Sequence, residues 1–108
     1  MRIMDYTTAG GKNVIREYLD KLPNAEKTTA YDIRDMIEKD GQIALHSLKT
    51  RQLKGKLWEI KFSDNRIMYV IKDSEHIYFL HSCKKQKNKA EKMNLEKATK
   101  RAKEAGLI

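Results

Sequence analysis

The sequence has one cysteine, one proline and few aromatic residues, which make up 7% of it. A lone Cys83 excludes an internal disulfide framework and suits a reducing cytoplasm. With one Cys and three His, a structural zinc site built from those residues is not expected, and no metal ligand set stands out. Aromatics are absent after Phe79, which argues against a module that grips single strands by stacking one base after another. Long apolar runs are missing too. The longest strand-like one, Ile67–Ile71, has five residues, far short of the roughly 20 that a membrane span needs. Met1-Arg2-Ile3-Met4-Asp5 leads into Tyr6-Thr7-Thr8, so neither a signal peptide nor a membrane partner is expected.

Charge is what the sequence has in quantity. Lys and Arg number 23 against 15 Asp and Glu, a net charge of +8 over 108 residues, which suits a single domain over 1–108. The excess sits in two places. From His81 to Ile108 there are nine basic residues against three acids, and from Lys49 to Lys61 there are five against one. The rest is close to neutral. Such a field concentrates polyanions and speeds their encounter, so nucleic acid is the first partner class to consider.

The hydrophobic pattern sets the expected elements. Arg2–Tyr6 reads as a short first strand. After Gly10-Gly11, the spacing of Val14, Ile15, Tyr18, Leu19 and Leu22 predicts a helix that Pro23 ends. Asn24 is the expected N-cap of a second helix, with Ala30, Ile33 and Ile37 on its apolar stripe and Gly41 as its C-cap. Gln42 to Lys56 shows no sustained period. From Leu57 the period becomes two: Trp58, Ile60 and Phe62 point towards the helical hairpin, Glu59 and Lys61 away from it. Arg66–Lys72 and His76–Ser82 complete a meander of three strands. Leu95, Ala98, Ala102 and Ala105 then line one face of a basic helix closed by Gly106. The expected fold is α+β, in the order β-α-α-β-β-β-α, with a helical hairpin packed on a small, largely antiparallel sheet.

Turn chemistry then places side chains. With Asp64-Asn65 as a two-residue loop, Lys61 faces Met68 and Glu59 faces Val70, and Lys61 and Arg66 share a face. With Ser74-Glu75 as the next loop, Val70 faces Phe79 and Met68 faces His81. Lys61, Met68 and His81 then form a row with Arg66 beside it, flanked by Lys84, Lys85 and Lys87. Arg offers a planar fork to phosphate oxygens, and Lys a compact charge or, where crowded, a base. A phosphodiester is the ligand such a face suits. The bland alternatives are an exposed strand Lys at 61, an Arg66 paired with Glu59 or Asp64, and a core-filling His81.

Three blocks together carry a resemblance: Leu53-Lys54-Gly55-Lys56-Leu57-Trp58-Glu59-Ile60, Arg66-Ile67-Met68-Tyr69 and Leu80-His81-Ser82-Cys83-Lys84-Lys85. The chain resembles the RelE/ParE superfamily of bacterial type II toxins, nearest its HigB-like, phage-derived branch, with the RelE-like microbial RNase fold. That resemblance implies a ribosome-dependent mRNA endonuclease that uses no metal or other cofactor. In it a ribose 2′-hydroxyl attacks the adjacent phosphorus. Lys61 matches the strand Lys that activates the hydroxyl, Arg66 the Arg that stabilises the phosphorane charge, and Lys87 a basic residue that supports the leaving oxygen. Lys84 matches the first of a paired Lys, and His81 completes the candidate catalytic set. Lys54, Lys56, Lys85 and Lys89 are the candidate RNA grip.

The same resemblance implies three partners: a cognate helix-turn-helix, HigA-like antitoxin, the ribosome and mRNA. The free toxin is expected to be a cytoplasmic monomer. The sequence departs from RelE proper in having no aromatic residue between Asn88 and Arg101. His46 reads as structural. A ParE-like gyrase inhibitor and a non-catalytic nucleic-acid-binding module are the alternatives on the same charge pattern.

Overall fold

A computed structural model describes all 108 residues. The elements run β1 (Arg2–Asp5), α1 (Val14–Asp20), α2 (Asn24–Asp40), α3 (Gln42–His46), β2 (Lys49–Lys54), β3 (Leu57–Phe62), β4 (Asn65–Asp73), β5 (His76–Lys84) and α4 (Asn88–Glu104). The strands form one sheet in the order β1-β5-β4-β3-β2, with β1 parallel to β5 and every other pair antiparallel. The fold is α+β, as the hydrophobic periods require. No helix is long and apolar enough to cross a membrane.

Period-two alternation gives the sheet two buried faces. Ile60, Phe62, Ile67, Tyr69, Ile77 and Phe79 pack against Ile15, Leu19, Ile33 and Ile37 of the helical hairpin and against Leu45 of α3. Leu57, Met68, Val70 and Leu80 point the other way and meet Ala98 and Ala102 of α4. Each full burial of an Ile or Phe is worth roughly 1.5–3 kcal/mol, so the first face carries most of the hydrophobic stabilisation. The alanines let α4 approach the sheet closely but add little area. Leu107, past the helix end, seals that smaller core, and Ala105 is exposed.

Three expectations change. Gln42–Lys56 is not irregular: it holds α3 and the edge strand β2. The sequence hid β2 because four of its six residues are exposed and only Leu53 is apolar, the pattern of a solvated edge. The N-cap of α2 is Pro23 rather than Asn24, with no side-chain cap. The first hairpin loop is Ser63-Asp64, with Ser63 at φ 48°, so Phe62 pairs with Asn65.

The loop shift has a tertiary cause. Asn65 is fully buried; its Oδ1 accepts from the Tyr18 hydroxyl at 2.7 Å and its Nδ2 donates to Glu26 at 2.7 Å. That demand pulls Asn65 out of the turn and into β4. Burial pushes the Tyr18 phenol up to about 12, so it stays a donor. Asn65→Leu should strand two half-buried polar groups, the Tyr18 hydroxyl and the Glu26 carboxylate. We expect a loss of about 2–4 kcal/mol, read from the urea midpoint. A change within about 0.5 kcal/mol, the usual range for an unremarkable surface substitution, would contradict this account of the turn.

Candidate functional site

The shifted loop sets the cross-strand pairs. Lys61 lies directly opposite Arg66 on β3 and β4, Lys49 lies opposite Lys61 on β2, and Cys83 lies opposite Arg66 on β5. The row Lys49-Lys61-Arg66-Cys83 therefore crosses four strands on the face that also carries α4. The row beside it is Arg51-Glu59-Met68-His81. Moving the loop by one residue slides the pairing by two, so every side chain keeps its expected face. The expected row of Lys61, Met68 and His81 is corrected to these two rows. Lys61 and Arg66 become direct partners instead of diagonal ones.

These strands and the first turns of α4 enclose a cleft of about 230 Å³. Six basic residues line it (Arg51, Lys61, Arg66, Lys84, Lys85 and Lys87) against two carboxylates, Glu59 and Glu91. Glu59 lies at its floor, only 2% exposed. Its Oε1 accepts from Arg51 at 3.0 Å, and Arg51 also reaches Glu91 at 2.9 Å. Hydrogen bonding to Glu91 first, then the field of Glu59, holds the Arg51 guanidinium firmly protonated. Glu59 Oε2 has no hydrogen-bond partner and lies 3.8 Å from Arg66 Nε. Arg66 is itself largely covered, and its Nη1 donates to the Asn65 carbonyl at 2.8 Å. The ion pair with Glu59 weighed from the sequence is present, and it holds Arg66 at the cleft.

Two further features favour an anion here. The N-terminus of α4 opens beside the cleft with Lys87 as its N-cap and no capping side chain, so its first N–H groups have no intrahelical or capping acceptor. Cys83 has its thiol pushed up to about 11, chiefly by burial and then by Glu59, so it adds no negative charge.

The expected site residues divide. Lys61, Arg66, Lys84, Lys85 and Lys87 come together at the cleft. Lys84 pairs with Asn65 on the helix-hairpin face, and its ammonium lies 3.5 Å from Glu26, so it is held at the rim. Lys54 lies in an open groove with Lys92, Lys100 and Lys103 of α4, and Lys56 lines a similarly open one on the opposite face of the sheet. Lys89 is exposed on the first turn of α4. Sequence reasoning missed Lys49, Arg51 and Glu91. The first two sit on the unrecognised edge strand, and only the pairing of that strand brings them into the row.

His81 faces Met68 as expected, but a bulge that leaves Leu80 unpaired re-aims this part of β5. Val70 therefore pairs with Tyr78, not Phe79. His81 is buried beneath α4, with Nε2 2.7 Å from Asn94 Oδ1 and Nδ1 3.3 Å from Arg101 Nη1. Arg101 has only donors, so Nδ1 accepts and Nε2 donates. The imidazole works as a neutral latch between β5 and α4, away from the cationic row.

A family model described as "Phage derived protein Gp49-like" matches residues 17–103. The chain belongs to this family. The matched span of the Gp49-like protein contains the whole cleft, from Arg51 to Leu95. Among solved structures, the crystal structure of an archaeal RelE–RelB complex from Pyrococcus horikoshii OT3 is similar. It shares 20% identity over 81% of this chain and 97% of that one, with a TM-score of 0.61. At that identity the likeness is one of fold, and the expected RelE-like architecture is borne out. No curated protein matches the Gp49-like chain.

The His81 latch gives a pH dependence. Burial first, then Arg101 and Lys97, holds the folded imidazole below its ordinary value. The unfolded chain therefore takes up the proton first as pH falls below about 6.5. His81's contribution is complete above that pH and is lost as pH falls towards the lower folded value. Urea midpoints should drop between about pH 7 and pH 5.5, and the drop should shrink in His81→Gln. An equal slope in both proteins would show that His81 does not titrate with unfolding.

Proposed function

We propose that the Gp49-like chain is the toxin of a type II toxin–antitoxin pair and cleaves mRNA on the ribosome. The observation that carries this reading is the direct opposition of Lys61 and Arg66 in a cleft with six cations and two carboxylates, both bonded to Arg51. Like charges facing each other across strands are destabilising, so an arrangement of this kind suits a polyanionic ligand that neutralises it. The RelE-like fold supports the same reading.

In the proposed reaction the ribose 2′-hydroxyl attacks the adjacent phosphorus, and the bond to the 5′-oxygen of the next nucleotide breaks. The products are a 2′,3′-cyclic phosphate and a free 5′-hydroxyl. Lys61 accepts the 2′-hydroxyl proton after its ammonium has released one to solvent, and Arg66 stabilises the charge that builds on the phosphorane oxygens. The leaving 5′-oxygen takes its proton from solvent water, and Lys87, at the mouth beside the α4 N-terminus, supports it. Lys84, Lys85 and Lys49 grip flanking phosphates, and the lysines of α4 together with Lys54 hold ribosomal RNA. His81 positions α4 in this scheme and does not touch the message. The reading assigns no metal and no cofactor.

It also implies an antitoxin, of the helix-turn-helix, HigA-like kind, that covers the basic face, and it places the toxin with ribosomes in the cytoplasm as a monomer until that partner binds. The similar archaeal RelE was solved in complex with RelB, which supports an antitoxin partner without bearing on its helix-turn-helix type.

Induction of the chain should stop incorporation of amino acids before that of thymidine, and mapped 5′ ends should fall within translated codons. Arg66→Ala should abolish growth arrest with the fold retained, cutting cleavage about 100-fold or more. Arrest of DNA synthesis ahead of protein synthesis would favour gyrase inhibition instead. Full toxicity of Arg66→Ala would remove that residue from the mechanism.

A further inference from the structure

The sheet carries a second concavity on the face away from the cleft. It lies at the corner of the sheet beside the five-residue helix α3. Its volume is about 460 Å³, and its walls include Gln42, His46, Thr50, Lys56, Trp58 and Tyr69. Ile60 and Phe62, on the same face of β3 as Trp58, are buried, as the alternation requires. Trp58 is instead 36% exposed, and it is the only tryptophan in the chain.

The lining has a definite chemistry. No Asp or Glu is among its residues, while Lys56 contributes a full positive charge. The indole offers an aromatic surface. The Gln42 amide, the Thr50 hydroxyl and the His46 imidazole offer both donors and acceptors around it. The volume falls in the range of small-ligand sites, which runs from about 300 to 1,000 Å³. An apolar, flat ring system with polar edges and an attached anion satisfies all of these groups together.

We propose that this cavity binds a nucleotide, with its base against Trp58 and its phosphate at Lys56. The nucleotide is either free or one unit of an RNA chain. The Lys54-Gly55-Lys56 turn gives an RNA a route to it. Lys54 lies among the α4 lysines on the cleft side, and Lys56 opens onto this cavity, so the turn carries positive charge around the edge of the sheet. The scarcity of aromatics fits a site for one base and not for a run of them. The site stands apart from cleavage, since binding is read on the purified chain without ribosomes.

Trp58 is its own reporter. Adenosine 5′-monophosphate should quench its emission saturably, and ribose 5-phosphate, which lacks the base, should not. Lys56→Ala, an exposed change that spares the fold, should weaken the nucleotide about threefold or more. Trp58→Leu, followed by equilibrium dialysis of labelled nucleotide, should weaken it about tenfold or more. Tighter binding of a short oligoadenylate than of the mononucleotide would assign the site to RNA; equal or weaker binding would assign it to a free nucleotide. Either result supports the proposal. Unchanged emission with both ligands would overturn it and leave the cavity to an apolar protein segment. Equal effects of the nucleotide and ribose 5-phosphate, or wild-type affinity in both variants, would overturn it as well.

Discussion

A buried carboxylate under facing cations is the constraint on which the cleft depends. Lys61 and Arg66 face each other across the β3–β4 pair, an arrangement that repels. Glu59, beside them on the floor, offsets part of that repulsion through its approach to Arg66 and its bond to Arg51. It does so incompletely, since one of its oxygens has no donor. Glu59 keeps its bond to Arg51 when Arg66 is truncated, whereas removing Glu59 leaves the facing cations without compensation. The site thus holds Arg51 and Arg66 in place before any ligand arrives. Pre-ordering of this sort reduces the reorganisation needed when negative charge builds on a phosphate.

The two faces of the sheet divide the work. The helical hairpin supplies the larger core and, through Tyr18 and Glu26, fixes where β4 begins. That fixes the register of the β3–β4 pair, and so the opposition of Lys61 and Arg66. The α4 face has the smaller core, closed by two alanines and Leu107. Its weaker packing is supplemented by polar contacts: His81 with Asn94 and Arg101, and Arg101 over the Tyr6 ring at 4.4 Å. In the first two turns of α4, next to the site, only the half-buried Leu95 touches that core. The cleft is the gap they leave between helix and sheet.

Much of this was readable from residues. The strand alternation of Trp58 to Phe62 and the apolar stripe of α2 encode the sheet, the hairpin and the face of Lys61 and Arg66. Asp64-Asn65 looked like a loop because Asn favours turns locally, and a tertiary hydrogen-bond network overrode that preference. The edge strand β2 was illegible because a solvated edge has no apolar period. Arg51 and Lys49 were lost with it. Glu59 was visible only as a possible mate for Arg66; its burial comes from β2 and α4 closing over it. Turn spacing places His81 opposite Met68, where it lies, but the bulge at Leu80 turns it to α4. A bulge of that kind leaves no mark in hydrophobic spacing.

In the proposed reaction Lys61 and Arg66 act as one unit on one phosphodiester. A double-mutant cycle tests it most directly, using single-turnover cleavage of a defined message on programmed ribosomes with Lys61→Ala, Arg66→Ala and the pair. The losses should be strongly non-additive, with the double variant hardly slower than the slower single one. Losses that multiply, as for two residues working independently, would contradict it.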